Sequence, residues 1–278
     1  MGAAQPWKTS VLRQDVVVVN TIWRGGPVTH GAGVVLCPNP GPMTLDGTNT
    51  WVLHSPGADE AVVVDPGPLD EGHLQAVLEV VRAAGARVAL TLLTHGHFDH
   101  AESAQRWAEL TGAPVRGAGH GRAFTDGEWI AVGEVRIQVL LTPGHTKDSV
   151  SFVVPDQQLL LTGDTVLGRG TSVVAHPDGE LAAYLASLDR LAGVATGMTL
   201  GPGHGPTHAD AAAVIAQYAQ HRLQRLDQVR AALAAGASES DDVAQAVVEQ
   251  VYADVPREVW PAARSTVLAQ LDYLAERG

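Results

Sequence analysis

The chain has 278 residues, 45% apolar and 17% charged, and its 18 Lys+Arg stand against 30 Asp+Glu for a formal charge of −12. This is globular composition, long enough for one large domain or a domain with an appendage, and it excludes disordered and fibrous classes. The acidic balance argues against general affinity for polyanions, the four valines at 16–19 fall far short of a membrane span, and no secretory signal is visible at the start.

In chain order, β-rich runs at 16–22, 49–54, 61–65, 88–94, 135–141, 150–154 and 159–161 read as strands, punctuated by Gly/Pro turns. Between the first two lies Cys37, the single cysteine, which cannot form an internal disulfide and so fits a reducing cytoplasm as an inert apolar residue. A helix is predicted over 69–84, with Leu74, Val77, Leu78 and Val81 on one face. A second is expected over 101–110, stopping at Gly112, and a third over 178–191 with Leu181, Leu185 and Leu188 as its stripe. The mixture indicates α/β layering. From about residue 210 the texture turns helical, over 211–235, 241–253 and 257–277, with Asp241 and Asp242 suited to capping. This divides the chain into a catalytic-type α/β body, 1–210, and a small helical appendage, 211–278.

Chemistry concentrates in Thr94-His95-Gly96-His97-Phe98-Asp99-His100, between a predicted strand and a helix. On extended backbone His95 and His97 project to one side, and the following turn lets Asp99 and His100 face the same space. Three more candidates sit in loops at strand ends: His145 after 135–141, Asp164 after 159–161 and His204 after the apolar stretch 198–200. Counting ligands favours two metals over one. His95, His97 and His145 would serve the first ion, Asp99, His100 and His204 the second, and Asp164 would span both through its two oxygens. With N and O donors and no thiolate, the pair is expected to be Zn²⁺, with Mn²⁺ or Fe as alternatives. The bland reading, a structural ion or core histidines, fits poorly, because structural zinc is commonly closed by four ligands including Cys.

His95-x-His97-x-Asp99-His100, then His145, Asp164 and His204 in that order, resembles the metallo-β-lactamase superfamily over roughly residues 34–221. The resemblance implies an αββα sandwich of two mixed sheets between helices, with the metals at one sheet edge and Asp65 as a structural aspartate behind the histidine loop. Asp164 stands where antibiotic-degrading members carry Cys or Ser, which is similar to the glyoxalase II, lactonase and ribonuclease Z branches instead. The segment 38–51, the stretch 184–191 and His221-Arg-Leu-Gln-Arg225 further resemble lactamase-B-like hydrolases with a C-terminal winged-helix appendage. That subgroup includes a mitochondrial single-strand endoribonuclease and fungal polyketide-releasing thioesterases.

The expected reaction is metal-assisted hydrolysis, in which a water shared by two ions is acidified towards neutral pH and supplies hydroxide. Asp99 and His204 are the expected catalytic residues. Thr48, Asn49 and His176 are candidates for substrate contact, each also readable as turn or surface chemistry. His30, His54, His73, His120, His208 and His221 read as surface or capping residues. The acidic chain favours an ester, thioester or other acyl substrate, with single-stranded RNA as the alternative and a non-catalytic nucleic-acid regulator as a third reading. The helix at 257–277 balances Arg257, Arg264 and Arg277 against Glu258, Asp272 and Glu276, and no wing follows it. A packing lid or a homodimer contact is therefore expected of the appendage, which resembles a winged helix with its wing missing.

Overall fold

The computed structural model describes residues 22–277, so the strand predicted at 16–22 lies outside the described residues except for Ile22. Two mixed sheets form the centre. The first follows chain order through β1 (Gly26–Pro27), β2 (Ala32–Leu36), β3 (Asn49–His54), β4 (Glu60–Val64), β5 (Arg87–Leu92) and β6 (Val115–Arg116). The second contains β7 (Trp129–Val132), β8 (Val135–Leu141), β9 (Val150–Val154), β10 (Leu159–Gly163) and β11 (Thr199–Pro202), with β11 at one edge and β7 at the other.

Alternation along the strands explains the layering. Trp51 and Leu53 of β3, Val62 and Val64 of β4, Val150, Phe152 and Val154 of β9, and Leu159 and Leu161 of β10 meet in the core between the sheets. Their intervening neighbours turn outward, and these too are apolar. Val52, Ala61 and Val63 pack beneath α1 (Glu71–Ala83), while Val153 and Leu160 lie beneath α4 (Leu181–Ala192) and the first half of α5 (Ala211–Ala234). Strands apolar on both faces need a cover on each, and helices supply it, giving the αββα sandwich.

The predicted helices hold with two differences. The one expected over 101–110 divides into α2 (Phe98–Ala101) and α3 (Ala104–Thr111). At the break both the N–H and the hydroxyl of Ser103 donate to the Gly67 carbonyl, diverting the chain towards the β4 loop. The helix expected from 178 begins at Leu181. Strands β1, β2, β6 and β7 escape sequence periodicity because β1 and β6 are two-residue edge pieces, Gly33 interrupts β2, and β7 is a short edge strand whose alternate residues are exposed.

After β11 the described chain is helical. Helix α5 begins on the second sheet through Ile215 and Tyr218 and then runs on to pack with α6 (Val243–Val251) and α7 (Trp260–Ala275), where Val229, Val247, Val248 and Val267 form a separate small core. One continuous helix thus joins sandwich and appendage.

Trp51 bridges the two sheets: its ring is 2% exposed in the central core, and its indole N–H donates to the Pro202 carbonyl at 3.2 Å. Trp51→Ala is expected to destabilise the fold by about 3–5 kcal/mol in urea unfolding, and Trp51→Phe, which loses mainly the hydrogen bond, by roughly 1 kcal/mol beyond its packing change.

Candidate metal centre

Strand direction decides where the site lies. Strands β4 and β5 run parallel, as do β10 and β11, and β8 shares their direction because β9 lies antiparallel between β8 and β10. The loops after β4, β5, β8, β10 and β11 therefore emerge together, and they carry Asp65, the 95–100 cluster, His145, Asp164 and His204.

Asp65 anchors the cluster from behind. It is 1% exposed, with φ +54°, a left-handed conformation that Asp tolerates better than most residues. Turning there, the chain aims the carboxylate at the neighbouring loop, where it accepts from the Thr94 backbone N–H at 2.7 Å, the Thr94 hydroxyl at 2.7 Å and His100 Nδ1 at 2.9 Å. Three donors compensate a charge that could not otherwise stay buried.

These outer bonds fix the imidazole tautomers. The Thr94 hydroxyl spends its one O–H donating a hydrogen bond to Asp65, so at 3.0 Å it accepts from His95 Nδ1–H. His100 donates Nδ1–H to Asp65, His145 donates it to the Val173 carbonyl at 2.6 Å, and His204 to the Gly47 carbonyl at 3.1 Å. In the neutral form all four Nε2 atoms then present lone pairs inward. They converge: His95 Nε2 and His145 Nε2 each lie 3.0 Å from His97 Nδ1, and His100 Nε2 lies 3.2 Å from His204 Nε2.

Two carboxylates complete the array. Asp99 Oδ2 lies 3.0 Å from His204 Nε2. Asp164 Oδ2 lies 3.3 Å from His204 Nε2 and 3.8 Å from His145 Nε2, so this side chain stands between the two histidine groups. Its buried Oδ1 has no hydrogen-bond partner. His95, His97, His145 and Asp164 form one set of convergent donor atoms, and Asp99, His100 and His204 form another. Gly203 leaves room for this: a Cβ there would come within 2.8 Å of His100 Cε1.

The electrostatics favour cations. Burial lowers the pKa of His95 well below the ordinary value and takes His145 to about 4. Burial also penalises His204, but Asp164 and Asp99 outweigh it and raise its pKa to about 9; at His100 the same contest, with Asp99, Asp164 and Asp65 opposing burial, ends well above normal. Asp164 is pushed up by burial yet held well below the carboxylate range by His204 and His100. Convergent imidazole nitrogens, an orphaned carboxylate oxygen and carboxylates that draw positive charge together fit divalent metal ions.

Thr48 and Asn49 are fully buried behind this array. Thr48 bridges to His204 through the backbone and is held by Asn39, which accepts from its N–H at 2.9 Å and donates to its hydroxyl at 3.0 Å. Asn49 donates to the Pro202 and Gly205 carbonyls at 3.0 and 2.9 Å and accepts from Trp23 Nε1 at 2.8 Å. Both therefore brace the His204 loop. His176 lies elsewhere, its Nε2 3.0 Å from Asp272 on α7, in a separate depression with Lys147 and Glu180.

A cavity of about 310 Å³ opens beside His145 and Asp164 and reaches the appendage, with Met43, Leu45, Tyr252 and Val259 among its apolar walls and Arg169, Arg222 and Arg225 among its polar ones. The segment His221-Arg-Leu-Gln-Arg225 supplies part of these walls, and the surface position expected for His221 is corrected: the side chain lines this cavity, with a buried Nδ1 that has no partner among the described residues. His73 is likewise buried, 2.8 Å from the Thr50 hydroxyl. Only the fold reveals the cavity, since its walls come from five segments far apart in the chain.

Residues 43–204 match the Metallo-beta-lactamase superfamily, and residues 244–278 match the Beta-lactamase associated winged helix domain. Similar proteins include Lactamase-like protein adaB of Aspergillus niger, 33% identical over 74% of this chain and 65% of that one, so the match spans slightly less than two thirds of that relative. Atrochrysone carboxyl ACP thioesterase of Aspergillus chevalieri is 32% identical over 81% of this chain and 74% of its own. Beta-lactamase-like protein 2 homolog of Caenorhabditis elegans is 28% identical over 88% and 84%. A Beta-lactamase domain protein from Burkholderia ambifaria superposes with a TM-score of 0.75 over 91% of this chain and 89% of its own, at 22% identity, a likeness of fold. A further solved chain, in a di-iron-bound form, has a TM-score of 0.52 over 69% and 97%, at 25% identity. The chain belongs to the metallo-beta-lactamase superfamily and carries, behind that fold, the winged-helix domain associated with it.

Proposed function

We propose that this superfamily enzyme is a metal-dependent hydrolase that cleaves an acyl ester or thioester. The observation that carries the reading is the convergence of four tautomer-fixed Nε2 atoms, His97 Nδ1 and two carboxylates at the mouth of a largely apolar cavity. His95, His97 and His145 would hold one divalent ion and Asp99, His100 and His204 the other, with Asp164 shared; zinc suits this donor set, and manganese or iron is compatible with it. Bound there, the ions would acidify water and polarise the scissile carbonyl.

The remaining roles belong to the chain. Asp65, Thr94, Asn49 and the Val173 carbonyl hold the imidazoles in register, so little reorganisation is needed during reaction. Asp99, the most exposed of the three carboxylates at 27% for its side chain, can accept a hydrogen bond from a bound water and orient it, while His204 beside it steadies the carboxylate. Apolar walls suit an acyl chain and exclude water from the centre. The thioesterase named among the relatives supports an acyl substrate. Single-stranded RNA is the second reading, favoured by the cavity's arginines.

Chelation should abolish turnover of an ester or thioester, and Zn²⁺ or Mn²⁺ should restore it with about two metal equivalents by elemental analysis; full activity in the metal-free protein would refute the proposal. A panel of thioester, lactone, bis-p-nitrophenyl phosphate, single-stranded RNA and nitrocefin should show acyl cleavage and no useful nitrocefin turnover. Asp65→Asn is expected to weaken metal affinity about 10–100-fold while far-UV circular dichroism stays native. Because the His100 and His204 protons must leave when metal binds, calorimetry near pH 7 should show proton release, and affinity should fall as pH is lowered.

A further inference from the structure

The cavity ends on positive charge that no carboxylate among the described residues pairs with. Arg222 is 3% exposed and lies in α5, where its guanidinium stacks 4.7 Å from the Tyr184 ring centroid and donates to the Ser172 carbonyl. Its buried Nε has no partner, and among the described residues no carboxylate lies within salt-bridge distance of it. One turn on, Arg225 lies 4.7 Å from the Tyr252 ring centroid and donates to Gln228 and the Val251 carbonyl, again with no acid. Between wall and arginines sits His221 with its orphaned Nδ1, held to a pKa of about 4 by burial and then by Arg222 and Arg225. Arg169, also in the lining, is already paired with Asp46. A buried cation is unfavourable unless something compensates it, and in a chain of net charge −12 two cavity arginines with no acidic partner among the described residues call for a ligand.

We infer that Arg222, Arg225 and His221 form an anion subsite that receives a carboxylate or phosphate group on the substrate, distinct from the bond being cleaved. This rests on the hydrolase reading for its connection to turnover, but the subsite itself does not. Arg222 bonds Ser172, whose hydroxyl donates to the Asp164 carbonyl and lies 3.3 Å from His145 Nδ1. The subsite is thus linked by hydrogen bonds to the metal centre and shares one cavity with His145 and Asp164, which a substrate with an anionic group could span. A planar guanidinium with a free Nε edge suits an oxyanion, and the half-exposed Arg225 offers a second, adaptable contact.

The test is calorimetric titration of the zinc-loaded full chain with glutarate and, separately, with inorganic phosphate at low salt. The parent protein should bind one of them, and the tighter of the two identifies the anion as carboxylate or phosphate. Arg225→Gln should weaken that binding at least tenfold, while Arg230→Gln, the same charge change on an exposed α5 arginine paired with Asp227, should change it less than twofold. Arg222→Lys, which keeps the charge but loses the fork, should weaken it as well; if that buried variant does not fold, the Arg225 and Arg230 pair still decides. Equal binding by parent, Arg225→Gln and Arg230→Gln, or no binding of either anion, would overturn the subsite. Anion binding that depends on Arg225 in a protein that hydrolyses no ester or thioester would leave the subsite standing and remove the hydrolase reading alone.

Discussion

The bond set around the Asp65 carboxylate is the constraint on which the rest of this site depends. A single buried charge accepts from Thr94 twice and from His100 once, and through Thr94 it also sets the proton on His95. Two imidazoles are thereby turned with their lone pairs inward before any ligand arrives. Backbone carbonyls of Val173 and Gly47 do the same for His145 and His204. The energetic penalty of gathering such donors is met by these outer hydrogen bonds and by the sandwich core that holds each loop at its strand end.

The sandwich supplies that rigidity by burying both faces of its strands. Inward residues such as Trp51, Phe152 and Leu161 lock the sheets to each other, and outward ones such as Val63 and Leu160 lock each sheet to helices. Loops leaving one edge then have little freedom. The appendage adds a wall rather than a ligand: α5 starts on the sheet and ends in the small core with α6 and α7, carrying Arg222 and Arg225 into the cavity on the way.

Local patterns made much of this legible. The strands at 49–54, 135–141 and 150–154 were readable to the residue because their apolar runs end at turn residues, and α1 because its four apolar positions fall on one face. The split between α2 and α3 was not, since Ser103 leaves the helix for a carbonyl 36 residues away. Asn49 and Thr48 stood out beside a strand, yet their bracing of the His204 loop depends on contacts across more than 150 residues. His176 stood out for its place after the Asp164 loop, and the fold turns it to Asp272 instead.

By itself the amino-acid sequence determined most of the long elements, the family to which they belong and the seven side chains with metal-ligand chemistry, because hydrophobic period, turn residues and histidine spacing are properties of adjacent positions. Only the tertiary structure decided which nitrogen of each histidine faces inward, that Asp164 stands between two groups, and that a cavity links the centre to uncompensated arginines on α5. Those facts depend on hydrogen bonds and packing between residues far apart in the chain, and no local pattern encodes a direction in space.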